Sequence, residues 1–232
     1  MDKELLRYKS LSKNNLQMDE IIHYFKVLSA FHKKAMGYDG ELINNTGKEI
    51  EDFKDNIRKL KHIKKSIMQE KHNDEMSIYF AKQCSNYISI GEKCIRKMYN
   101  SGFEDILKRS IKRKEVCTGK KYDIELNKDN EVLISNINKC CFNFIEIDAI
   151  KFLIMQRKNK NISSLSDIIE KFCCFEGLNK NSFEFIRAAV NYPNEVINYM
   201  KKYEKKCLTQ ESKVKFINKV KKLIDEDEVH NH

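Results

Sequence analysis

Apolar residues recur at steps of three and four along most of this chain, and that spacing predicts helices. In "MDEIIHYFKVLSAFHKKAMGY", Ile21, Ile22, Phe25, Leu28 and the run from Phe31 to Ala35 fall on one face, and Gly37 offers a stop. "NTGKEIEDFKDNIRKLKHIKKSIMQEK" places Ile50, Phe53, Ile57, Leu60, Ile63, Ser66 and Ile67 along one stripe, as in an amphipathic helix laid on a core. Asp74 then suits an N-cap for "EMSIYFAKQCSNYISIGEKCIRKMYN", with Ile78, Ala81, Ser85, Ile88 and Cys94 or Ile95 on its inner face. A shorter helical tract follows from Phe103 to Ile111.

Between Lys114 and Phe144 the period changes. "YDIEL" and "EVLI" read as strands joined by "NKDN", a turn of Asn and Asp. Helices resume at Ile147 and follow one another closely, with Ser164 and Asp167 as a capping pair and Pro193 where a helix would start. The pattern predicts one compact domain over 1–232: a long helical hairpin over 17–101, a small β insert over 114–141 and a helical bundle over 146–226. A single Pro and seven Gly leave few breaks, which favours long helices over a many-stranded sheet.

Composition adds less than the pattern. The 44 Lys and Arg exceed the 34 Asp and Glu, for a formal charge of +10. The excess is spread along helix faces, so solvated faces account for it better than a surface built for a phosphate backbone. The basic helices around Arg58 to Lys65 and Lys213 to Lys222 lack interleaved aromatics apart from Phe216, and nucleic acid is the disfavoured partner. The eight Cys show no zinc-knuckle spacing and no His at a ligand interval. Cys140-Cys141 and Cys173-Cys174 sit in apolar runs, as reduced thiols of a cytoplasmic protein would. No apolar stretch is long enough to span a bilayer, so no membrane partner is expected.

Candidate chemistry is sparse. His23, His32, His62 and His72 lie on the first two helices, each expected at the surface or at a core edge. The serines at 163, 164 and 166 lack a nucleophile elbow. "TGKK" is not a P-loop, because Lys114 stands where that motif needs its first Gly and Lys121 where it needs a hydroxyl.

The order of features is more telling. "VLSAFHKKAMGYDG", two long helices, a strand-loop-strand insert, then "IDAIKFL" and "AAVNYPNEVINYMKKYEKK" resemble the C-terminal lobe of the spore coat CotS family. That family is related to the aminoglycoside and choline phosphotransferases. The resemblance runs from about Asp19 to Glu226 and implies a mainly α fold, the C-terminal lobe of a protein-kinase-like fold with a small β-hairpin insert.

In those phosphotransferases a His-Gly-Asp element opens the catalytic loop, an Asn five residues after its Asp binds Mg²⁺, and Asp-Phe-Asp delivers further ligands. An acid orients the acceptor hydroxyl, and hard oxygens hold Mg²⁺ against the triphosphate. Here the resemblance sets Thr118 in place of the His, keeps Gly119 as a turn residue and puts Lys120 at the catalytic Asp. Glu125 takes the place of the loop Asn and is a weak candidate metal ligand, while Asn136 and Asn138 replace both acids of Asp-Phe-Asp. A lysine cannot take the acceptor's proton at neutral pH unless its pKa is strongly depressed, and it repels Mg²⁺. Asp148 remains, as the structural acid that ties the catalytic loop to the helix below.

The family's N-terminal lobe has no counterpart here, and Met1 suggests a natural one-lobe chain. The expectation is therefore a non-catalytic coat component with no cofactor and no metal, whose partners are other coat proteins or further copies of itself. A remnant phosphotransferase that binds nucleotide or acceptor is the enzymatic alternative, and a basic nucleic-acid-binding helical protein is the other.

Overall fold

The computed structural model describes residues 16–69, 74–119, 124–126, 132–134, 137–156, 164–203 and 209–229. The chain groups into two compact units, one of residues 1–47 and 101–187, the other of residues 48–100 and 188–232.

The first unit contains α1 (Met18–Ala35), β1 (Ile43–Asn44), α4 (Phe103–Arg113), β2 (Val116–Cys117), β3 (Ile124–Leu126), β4 (Val132–Ile134), β5 (Cys141–Phe142), α5 (Glu146–Gln156) and α6 (Leu165–Glu176). The helix α7 (Lys180–Val190) begins in it. Strand β5 lies between β1 and β2, parallel to the first and antiparallel to the second, while β3 and β4 form a separate antiparallel hairpin. The two strands read from the sequence are this hairpin, with Glu125 opposite Leu133. The three-stranded sheet was not foreseen, because strands of two residues are too short to show a period of two.

Aromatic side chains fill this unit's core. Phe25 of α1 meets Phe152 of α5 edge-on at 5.2 Å and Phe172 of α6 at 5.0 Å. Phe144 meets Phe185 edge-on at 5.5 Å. Offset and edge-on rings of this kind add to what burial alone contributes. Helix α1 ends at Ala35, before the proposed stop at Gly37, whose φ is +80°.

The second unit holds α2 (Lys48–Gln69), α3 (Glu75–Asn100), α8 (Asn194–Met200) and α9 (Gln210–Val229). On α2 the predicted stripe Ile50, Phe53, Ile57, Leu60, Ile63 and Ile67 is buried, with Ser66 half-buried. Asp74 caps α3, its carboxylate accepting the Ser77 N–H at 2.8 Å. On α3 the predicted Ala81, Ile88 and Cys94 are buried, together with Ser77, Phe80, Cys84, Tyr87, Gly91 and Met98, whereas Ile78 is 55% exposed and Ser85 half-buried. A Cβ on Gly91 would stand 2.5 Å from the Ile57 Cδ1, so a side chain here would require the Ile57 side chain to move. Tyr192 stacks on Phe53 at 4.1 Å and donates its hydroxyl to the Phe53 carbonyl at 3.2 Å. No helix among the described residues is long and apolar enough to cross a membrane.

Candidate functional site

Strand β2 is two residues long, and the chain on each side of it is held by a buried charged cluster. Glu115, just before the strand, is one anchor. Thr118, just after it, is the other.

On the Thr118 side, the Thr118 N–H donates to Asp148 Oδ2 at 2.7 Å, which pins the turn to the first turn of α5. The same oxygen lies 3.2 Å from His32 Nε2. The other ring nitrogen of His32, Nδ1, is 2.7 Å from Glu176 Oε1 at the end of α6. His32 is fully buried, which by itself disfavours the imidazolium, yet hydrogen bonds to Asp148 and Glu176 outweigh that and raise its pKa to about 9. His32 is therefore a charged core residue, not the surface or core-edge residue its helix position suggested. Its partners lie 116 and 144 residues away along the chain, beyond the reach of any local pattern.

Gly119 follows with φ +76°, and a Cβ there would stand 1.8 Å from the Lys139 carbonyl oxygen. Only glycine meets both demands. The Gly119 carbonyl accepts from Lys151 Nζ at 3.2 Å. Cys117, buried beneath the turn, donates its thiol to the Phe144 carbonyl at 3.2 Å. The ligand atoms of His32, Cys117 and Asp148 all lie within 4.8 Å of one another.

On the Glu115 side, Arg109 of α4 reaches both Glu115, at 2.9 Å and 3.1 Å, and Glu146, at 2.9 Å and 2.7 Å. Ser182 of α7 donates to Glu146 at 2.5 Å. Burial opposes the charge on Arg109, but the bonds to Glu146 and Glu115 outweigh it and hold its proton more firmly than usual. Both carboxylate side chains are 0% exposed, so the fork of the guanidinium is matched to two desolvated anions.

Among the other residues singled out in the sequence, Glu125 lies in β3 and Asn138 is exposed in a 3-10 turn (Ile137–Lys139). Lys120 and Asn136 lie outside the described residues. A separate pocket of about 290 Å³ in this unit is lined by Tyr38, Asn44, Thr46, Ile111, Lys114 and Phe142. Burial pushes the Cys84 and Cys173 thiols up to about 12, so neither is a reactive thiolate.

The fold is a mainly α, partial kinase-like fold. A solved structure, the aminoglycoside phosphotransferase from Alicyclobacillus acidocaldarius, superimposes with a TM-score of 0.64 over 95% of this chain and 66% of that one, at 8% identity. The chain thus spans just under two thirds of that neighbour's length, and the likeness is one of fold. No protein-family model and no curated protein matches the sequence.

Proposed function

We propose that this chain is a non-catalytic, kinase-like protein of the CotS kind that serves as a structural or scaffold component of a spore coat. The observation that carries the reading is the segment Thr118-Gly119. It has the tight glycine turn and the backbone bond to Asp148 that a catalytic loop needs. The resemblance puts Lys120, Asn136 and Asn138 where the phosphotransferases carry their acids. A lysine at the position of the catalytic acid and two amides at the metal-binding positions leave Mg²⁺ without its carboxylates.

The partners are other coat proteins or further copies of this chain. Exposed apolar residues support that assignment, Ile43 being 69% and Ile111 63% exposed. Light scattering at rising concentration is the check on self-association, and a strict monomer would remove that part of the reading.

A phosphotransferase that binds nucleotide or acceptor is the second reading, favoured by the name of the structural neighbour. Calorimetric titration with ATP and GTP, with and without Mg²⁺, separates the two. Absence of binding supports the scaffold, and Mg²⁺-dependent binding supports the enzyme.

A further inference from the structure

Three elements bring a nitrogen, a sulfur and an oxygen donor to one buried point. His32 of α1, Cys117 of β2 and Asp148 of α5 each offer one ligand atom, and these lie within 4.8 Å of one another. Zinc takes this donor set, with bonds of about 2.0 Å to nitrogen and oxygen and about 2.3 Å to a thiolate. Two ligands at about 2.0 Å on a tetrahedral ion stand roughly 3.3 Å apart. His32 Nε2 and Asp148 Oδ2 stand 3.2 Å apart.

That spacing is long for a charge-assisted N–H···O bond, which runs at about 2.7–2.9 Å. The opposite ring nitrogen has the short bond, 2.7 Å to Glu176. A metal-ligating histidine uses this asymmetry: the outer N–H is held by a carboxylate, which fixes the tautomer and aims the other nitrogen at the ion. Two more buried thiols border the cluster. Cys141 is the ladder partner of Cys117 across β2 and β5, and partners so placed have Cβ atoms about 4.5–5.5 Å apart on one face. Cys140 interacts electrostatically with both Asp148 and Cys141.

We propose that His32, Cys117 and Asp148 bind a single thiophilic divalent cation, zinc by the donor set, beneath the Thr118-Gly119 turn, with the fourth position taken by water. In the three-residue exchange, the Nε2 proton of the imidazolium and the thiol proton of Cys117 leave for solvent, and two positive charges enter with the ion. The net charge of the buried cluster is unchanged and no electrons are transferred. The Nδ1 proton stays on His32 and is donated to Glu176. The assignment is independent of the scaffold reading, since it concerns neither nucleotide nor partner.

The test is to unfold the full chain, strip metal with chelator, and refold it with one equivalent of Zn²⁺ or Co²⁺. Metal content after gel filtration is measured by plasma mass spectrometry, and the cobalt form is followed by absorption. The expected result is one ion per chain and a thiolate-to-cobalt charge-transfer band. Cys117→Ser loses the band, whereas Cys174→Ser, at an exposed thiol, retains it. Glu176→Gln, at a positioning residue, weakens binding by roughly 10–100-fold. Should Cys117→Ser fail to refold, the wild-type chain still decides: binding at pH 7 releases two protons per ion, read from buffers of different ionisation heat, and any other count overturns the assignment. A refolded chain that holds no metal, or a band that survives Cys117→Ser, overturns the proposal.

Discussion

Two charged clusters flank the same short strand, and they differ in the chemistry of their hubs. At Glu115 the hub is Arg109, which stays charged under any condition the protein survives. At Thr118 the hub is His32, whose charge depends on pH and whose Nε2 proton is exchangeable. Both hubs tie helices to the chain around β2, so the fold needs both. Only the second can change state within an ordinary pH range. The segment that would be a catalytic loop thus rests on one fixed support and one responsive support.

The largest expected effect is at the fixed support. Arg109→Met leaves Glu115 and Glu146 buried without a counter-charge and costs about 3–5 kcal/mol, measured by urea unfolding. A loss below 1 kcal/mol would mean that water reaches the pair.

Next is the pH response of the other hub. The folded-state pKa of His32 is raised from 6.5 to about 9, so its contribution is fully present below pH 6.5 and is lost as pH rises through about 9. In metal-free buffer, unfolding should show a decline on the order of 3 kcal/mol across that window. Arg109→Met should keep the decline, and His32→Gln should abolish it. A flat profile in the wild-type chain would contradict the charged assignment.

A smaller loss follows from Gly119→Ala. Its positive φ and the Lys139 carbonyl force the turn to move, at a cost of about 1–3 kcal/mol in unfolding experiments. The smallest effect is at a helix end: Ser164 caps α6, which carries Glu176, and Ser164→Ala should cost about 1 kcal/mol with the His32 pH profile retained.

These supports differ in how far the sequence revealed them. Local signals were legible: the stripe on α2, the Asp74 and Ser164 caps, the β3–β4 hairpin. All depend on residues within a few positions of one another. On α3 the reading held for Ala81, Ile88 and Cys94 and failed at Ile78, which is exposed while its neighbour Ser77 is buried, because a three-and-four spacing alone leaves the edge of the buried face open. The sheet joining residues 43–44 to 141–142 has no local signature at all. His32 was missed for the same reason, since its carboxylates come from α5 and α6. The sequence resemblance, by contrast, singled out Gly119 and Asp148, and in the structure Asp148 accepts the Thr118 N–H next to Gly119.

Mg²⁺-nucleotide binding most directly tests the proposal that this kinase-like chain lacks phosphoryl-transfer chemistry. Titration of the purified chain with millimolar ATP and GTP, with and without Mg²⁺, should release no heat beyond dilution. A saturable, Mg²⁺-dependent signal would contradict the account and restore the Thr118-Gly119-Lys120 loop to an active site.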